Sequence, residues 1–199
     1  MEKGLLIILS GPSGVGKGTV RSYLLKDPSL NLAFSVSCTT RCPRAGEING
    51  VDYFFISKEE FLDKVNKGEF LEYTDFCGNM YGTLRTYVDK LRDEGKNVLV
   101  EIETNGARQV LKNLHKQDEI SIFLTCPSLE ELEKRIRGRR SECECKIKER
   151  LEKAKEELKL ACNYDFVVSN IVPEDCAKQI KQIIENKLKL SKWFIYFQF

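Results

Sequence analysis

One histidine, one tryptophan and two methionines occur in 199 residues, and no apolar run approaches the length of a membrane span. The single histidine, His115, excludes most histidine-based catalytic schemes unless it is itself the base. It ends a helical pattern of Val110, Leu111 and Leu114, where a cation suits the helix C-terminus and a surface position is expected. The first apolar run, residues 5–9, is short. With Met1-Glu2-Lys3 before it and Ser10-Gly11-Pro12 after it, it makes a poor export signal. A cytoplasmic protein without a membrane partner is therefore expected. An excess of either charge is also lacking: 32 basic and 30 acidic side chains leave a net charge of +2, which supplies no global attraction to nucleic acid.

The eight cysteines, at 38, 42, 77, 126, 143, 145, 162 and 176, form no Cys-x-x-Cys pair, and the closest two, Cys143 and Cys145, have no histidine nearby. That spacing argues against zinc. Without an export signal, thiols that pack reduced as small apolar groups are expected. Hydrophobic residues at 42% and charged residues at 31% describe an ordinary globular chain. At this length about 70% of the extended-chain surface is buried on folding, so one domain needs neither disulfide nor metal to hold its core. No internal repeat or low-complexity stretch interrupts it.

Leu5-Leu6-Ile7-Ile8-Leu9 is apolar throughout rather than alternating, the pattern of a strand covered on both faces. Similar runs recur at residues 97–100, 120–124 and 166–168. Helical patterns lie between them. Ser128-x-x-Glu131 is a capping-box signature ahead of Leu129, Leu132 and Ile136. Ile147, Leu151, Ala154, Leu158 and Ala161 repeat at spacings of four and three, and Pro173 opens a last helix with Ile180, Ile183, Ile184 and Leu188. Strands alternating with helices predict an α/β parallel sheet with helices on both faces. Residues 34–87 break the alternation with short β-like runs and turns, including Asn49-Gly50, and Ser57-x-x-Glu60 caps a short helix. We read a small mixed β insertion there.

Gly11-Pro12-Ser13-Gly14-Val15-Gly16-Lys17-Gly18-Thr19 follows a strand and precedes a helix, the context of a P-loop. Its glycines let backbone N–H groups converge on an anion at a helix N-terminus, and Lys17 adds a point charge for the outer phosphates. The residue after Lys17 is Gly18 rather than Ser or Thr, so the usual magnesium-binding hydroxyl is either shifted to Thr19 or absent. The motif predicts nucleoside triphosphate binding and says nothing of the acceptor.

A second constellation joins Ser37, Arg41, Arg44 and Glu47 to Tyr53, Glu72, Tyr81 and Thr83. Alone, Arg41 and Arg44 would read as a solvated surface pair. Placed in a separate β module behind a P-loop, they read as a clamp whose bidentate forks hold an acceptor phosphate. Glu72, between Leu71 and Tyr73, is either a surface residue of an alternating strand or a carboxylate that reads a base. Residues 134–150 carry eight basic against three acidic side chains. Such a run is ordinarily a solvated face, and Glu144 with Lys148 and Glu149 with Lys153 have helical i,i+4 spacing. Gly138 among arginines between two helices also suits a mobile cover for phosphates, the reading we favour.

Taken together, these motifs resemble the guanylate kinase family from about residue 5 to residue 188. The resemblance implies a P-loop core of residues 1–33, 88–137 and 151–190, a GMP-binding insertion at 34–87, a lid at 138–150 and an aromatic tail at 191–199. It implies ATP as phosphoryl donor, Mg²⁺, small-molecule nucleotides as the only partners, no nucleic acid, and a monomer or homodimer. The ending Gly-Lys-Gly-Thr occurs in nucleoside monophosphate kinases. By position, Arg41, Arg44, Glu47, Tyr53 and Tyr81 match the residues that hold the GMP phosphate, and Ser37, Glu72, Thr83 and Glu103 those that read guanine. Lys17, Arg135, Arg139 and Arg150 match the catalytic cations. The strand-end pair is Glu101 and Glu103, where the family often has Asp at the second position.

The chemistry of the acceptor agrees. Guanine presents two adjacent donors, N1–H and the 2-amino group, to one carboxylate; adenine presents neither, and sites built on such bonds can discriminate by on the order of 10⁴-fold. A phosphate monoester with a second pKa of about 6 needs no general base. Two other readings share the fold: a non-catalytic guanylate-kinase-like phosphopeptide-binding module, and a kinase for another phosphorylated acceptor. The complete P-loop argues against the first, and Ser37, Glu72 and Thr83 together against the second. The tail from Trp193 onward has no role in this scheme.

Overall fold

A computed structural model describes residues 2–76, 78–115, 117–138 and 144–196, excluding the side chains of Phe76 and of 191–196. Nine strands and seven α-helices are present among them. Strands β1 (Leu6–Ser10), β2 (Leu32–Phe34), β7 (Asn97–Glu101), β8 (Glu119–Thr125) and β9 (Phe166–Ser169) form a sheet in the order β2-β7-β1-β8-β9, parallel throughout. Four of the five coincide with the apolar runs. β2 was not foreseen, because it is three half-buried residues at a sheet edge and carries no unbroken apolar signal.

The central strand shows why unbroken apolarity was the signal. Ile7 and Leu9 face one helix layer, with Val20 and Leu24 of α1 (Lys17–Leu25), Leu132 and Ile136 of α5 (Leu129–Arg137), Ala154 of α6 (Glu144–Leu158) and Ile180 and Ile184 of α7 (Pro173–Tyr196). Leu6 and Ile8 face the other, with Val88 and Leu91 of α3 (Arg85–Asp93) and Ala107 and Val110 of α4 (Thr104–Leu111). Alternate residues serve opposite layers, so every position must be apolar. Ser57 and Ser128 cap their helices as the capping signatures require, their hydroxyls accepting from Glu60 N at 3.1 Å and Glu131 N at 3.2 Å. No helix among the described residues is long and apolar enough to cross a membrane.

A second sheet of mixed direction holds β3 (Cys38–Thr39), β4 (Phe54–Phe55), β5 (Phe70–Phe76) and β6 (Asn79–Leu84) in the order β4-β3-β6-β5, with α2 (Lys58–Asn66) packed on it through Phe61. The β-rich reading of this segment is thereby met. His115 is exposed, as expected, but lies beyond α4, which ends at Leu111, so it occupies no helix terminus. The cysteines are not uniformly reduced: Cys38, Cys42, Cys126, Cys162 and Cys176 are free, whereas Cys145 is disulfide-bonded.

At the N-terminal ends of the parallel strands, Arg92 is buried. Its guanidinium donates to Gly4 O at 2.8 Å, Glu119 Oε1 at 3.0 Å and Asp118 Oδ2 at 2.7 Å, joining α3 to the starts of β1 and β8. Arg92→Ala should lower unfolding stability in urea by about 3 kcal/mol, because Glu119 would stay buried without its cation. The far end of the sheet, where the chain leaves β1 and β7, should keep its chemistry.

Candidate active site

The loop between β1 and α1 is braced on several sides. Asn170, following β9, donates from Nδ2 to Val15 O at 2.8 Å, and Arg135 Nη1 reaches the same oxygen at 3.3 Å. Gly16, the N-cap of α1, has φ of 98°, and a Cβ there would come within 2.6 Å of Asn170 Nδ2. Both the backbone angle and the neighbour require glycine. No side chain caps α1, so its first-turn amides are left to meet an anion. Lys17 opens the helix with its ammonium folded onto Gly11 O and Pro12 O. From α6, Arg150 donates to Ser13 Oγ at 3.2 Å and the buried Glu157 accepts from Ser13 N at 3.4 Å.

Two cavities adjoin at this end of the sheet. One, of about 540 Å³, is lined by the loop, Lys17, Thr19, Glu101, Glu103 and Arg150. The other, of about 290 Å³, runs from Lys17 past Tyr53, Tyr81 and Glu103 to Ser37 and Glu72. Lys17, Tyr53, Glu101 and Glu103 belong to both. The space opens at the carboxyl ends of β1 and β7, where open parallel sheets place their ligands.

Glu72 and Thr83 face each other across β5 and β6, and Thr83 Oγ1 donates to Glu72 Oε1 at 2.7 Å. Glu72 is not the surface residue of an alternating strand: it is 4% exposed, while its neighbour Tyr73 is 41% exposed. Burial, aided by the nearby Glu103 carboxylate, pushes the Glu72 carboxyl up to about 7 against the bonds from Thr83 that lower it. Glu103 is the N-cap of α4, and its carboxylate meets Lys153 of α6 at 3.1 Å. Glu101 meets Arg21 of α1 at 2.8 Å.

Arg41 and Glu47 pair with each other, Nη2 lying 2.8 and 3.0 Å from the two carboxylate oxygens. That guanidinium and the Arg44 amide hold Glu47 below the usual carboxylate range. Arg41 also lies over the Tyr53 ring at 5.6 Å, and Tyr53 meets Tyr81 edge-on with centroids 6.0 Å apart. Arg44 is exposed, and neither it nor Arg41 nor Glu47 lines either cavity. Among the lid cations, Arg135 and Arg150 reach the loop, whereas Arg139 lies outside the described residues. The charges of this run meet more than their i,i+4 neighbours, and Lys148 still helps to lower the Glu144 carboxyl. Glu144 takes a bidentate Arg137 at 2.6 and 2.7 Å, and Lys153 turns to Glu103 and Glu157.

The family model for guanylate kinase matches residues 3–187. The chain belongs to the guanylate kinase family. Among curated relatives, guanylate kinase of Mesoplasma florum is 53% identical over 183 residues, covering 92% of this chain and 61% of that protein. Guanylate kinase of Malacoplasma penetrans is 47% identical over 191 residues, covering 96% and 97%, and that of Lactococcus lactis 48% identical over 184 residues, covering 92% and 88%. The chain thus spans about six-tenths of the length of the Mesoplasma relative and nearly all of the Malacoplasma one. The crystal structure of guanylate kinase from Anaplasma phagocytophilum superposes with a TM-score of 0.74 at 34% identity, covering 94% of this chain and 87% of that one.

Sequence reasoning missed Glu157, Asn170 and Arg21, and read Lys153 only as part of a solvated face. Glu157 sits one position before Leu158 in an amphipathic helix, and a carboxylate there reads as solvated. Asn170 and Arg21 gave no signal, since their partners lie 155 and 80 residues away.

Proposed function

We propose that the chain transfers the γ-phosphoryl group of ATP to GMP or dGMP, giving ADP and GDP or dGDP. One observation carries this reading: a phosphate-binding loop with its lysine and a buried, threonine-bound carboxylate stand at opposite ends of one continuous cleft. The loop amides of residues 11–19 and Lys17 take the ATP phosphates. Glu72 accepts guanine N1–H and the 2-amino group, with Ser37, Thr83 and Glu103 completing the base edge. Arg41, Tyr53 and Tyr81 take the GMP phosphate. Glu47, already bonded to Arg41, acts by orienting that guanidinium, and the exposed Arg44 is assigned to the same phosphate.

Transfer in line between the two phosphates requires positioning and charge neutralisation rather than a base. Lys17, Arg135 and Arg150 supply fixed cations, with Arg139 assigned to the same group. Thr19 offers a hydroxyl oxygen to the cleft, which suits a hard cation held chiefly by nucleotide phosphates and water. Bound there, Mg²⁺ would neutralise charge on the phosphate oxygens. Closure of the insertion 34–87 and of the segment assigned as lid, 138–150, of which 139–143 lie outside the described residues, would keep water from competing as acceptor.

An ADP-release assay with GMP, dGMP, AMP and UMP tests the reading. Turnover with GMP and dGMP and little with AMP or UMP is expected; no turnover with any of them would overturn it. A pH dependence follows from Glu72. The base-reading form is the carboxylate, yet in the nucleotide-free protein burial holds the carboxyl at about 7. GMP binding should therefore expel a proton below that pH, and GMP affinity should weaken by up to about tenfold per pH unit as the solution is acidified. Titration calorimetry in two buffers of different ionisation heat measures the released proton.

A further inference from the structure

β5 is the terminal strand of the second sheet, so one edge of its backbone is not paired within that sheet. α4 from the core lies against that edge. Gln109 uses both ends of its carboxamide on Tyr73, the residue after Glu72: Nε2 donates to Tyr73 O at 2.7 Å and Oε1 accepts from Tyr73 N at 3.3 Å. One side chain thus does what a neighbouring strand would do. Gly106, three residues earlier on the same helix face, lies directly under the Glu72 carboxyl. A Cβ on Gly106 would be in steric overlap with Glu72 Oε2 and would stand 3.0 Å from Cδ and 3.4 Å from Cγ.

Nothing in the backbone asks for glycine at 106. It lies inside a helix and is not among the glycines of positive φ, and a glycine in a helix interior is ordinarily less stable than alanine. What the missing side chain supplies is space, and the carboxyl of Glu72 occupies it. We infer that Gly106 and Gln109 are positioning residues for base recognition: Gln109 fixes the main chain beside Glu72, and the hollow over Gly106 sets where its carboxylate stands. The core helix thereby determines the aim of a group carried by the inserted sheet. This rests on the reading of Glu72 as the guanine acceptor.

The test compares Gly106→Ala, Gln109→Ala, Glu72→Asp, Glu72→Gln and the Gly106→Ala/Glu72→Asp double variant, reading KM for GMP, KM for ATP and Tm. Gly106→Ala should raise KM for GMP about tenfold or more while KM for ATP stays unchanged and Tm stays equal or rises. Glu72→Asp withdraws the carboxylate by one methylene, so in that background the added methyl should cost less than about a third of its effect in the parent. Gln109→Ala should raise KM for GMP several-fold, again without touching ATP, and it decides the matter if Gly106→Ala does not fold. Unchanged KM for GMP in both α4 variants would overturn the inference. So would equal costs of Gly106→Ala in the parent and in the Glu72→Asp background, or a parallel loss of GMP and ATP affinity. If Glu72→Gln itself leaves GMP use intact, the base-reading assignment falls first and takes this inference with it. If Glu72→Gln is costly and the α4 variants are silent, only the inference falls.

Discussion

Lys17→Ala is expected to reduce turnover on the order of 10³-fold while shifting Tm by no more than a few degrees. The two halves of this expectation come from the same geometry. Lys17 is the first residue of α1 and its ammonium reaches back to the carbonyls of Gly11 and Pro12, so it spans the loop as well as facing both cavities. The loop has independent braces in Asn170, Arg135 and the glycine-specific turn at Gly16, and these survive the substitution. What is lost is a fixed positive charge where negative charge moves between donor and acceptor. Lys17→Arg should fare almost as badly. A planar fork cannot replace a compact ammonium at the start of a tightly turned helix. An ADP-release assay with a parallel thermal melt checks both variants, and activity within a few-fold of the parent would remove Lys17 from the mechanism.

The parts of this site that could be read from sequence are the local ones. A strand, a glycine-rich turn, a lysine and a helix follow one another without a gap in residues 6–25, so the kind of loop is legible from that succession even though distant residues brace it. The second constellation was legible as a set of residue types but not as an arrangement. Arg41 and Arg44 appear equivalent in the text. In the fold, one guanidinium lies over Tyr53 and is gripped by Glu47, while the other stays in solvent. Glu72 could be a surface residue or a buried one until the pleat of β5 is known, because the two outcomes differ by a register of one. β2 escaped notice because three half-buried residues have no periodicity to detect. Glu157 and Gly106 were invisible for another reason. Each looks like a common surface or helix residue, and its meaning comes only from a partner brought close by the tertiary fold: Ser13 and Thr104 for the first, Glu72 for the second.

Glu72→Gln should act in opposite directions on function and on stability. A carboxylate offers acceptors to both N1–H and the 2-amino group of guanine. A carboxamide offers one acceptor and a donor, so one guanine hydrogen would confront an N–H in a site too buried for water to compensate. The kcat/KM for GMP should fall on the order of 10³-fold, with KM for ATP little changed. Stability follows from the carboxyl standing at about 7 in the folded protein against an ordinary 4.5. A group with a raised folded pKa favours the fold while protonated. That contribution is complete below about pH 4.5 and is lost as the pH rises through about 7. Above that range the buried charge costs about 3 kcal/mol relative to the protonated state. Glutamine is neutral throughout, and its oxygen can still accept from Thr83. The variant should therefore be more stable than the parent at about pH 8 and nearly equal to it at about pH 5. Urea denaturation at the two pH values reads that crossover directly. A variant less stable than the parent at the higher pH, yet fully active on GMP, would mean that the carboxylate is held for the fold and that the base is recognised by other groups.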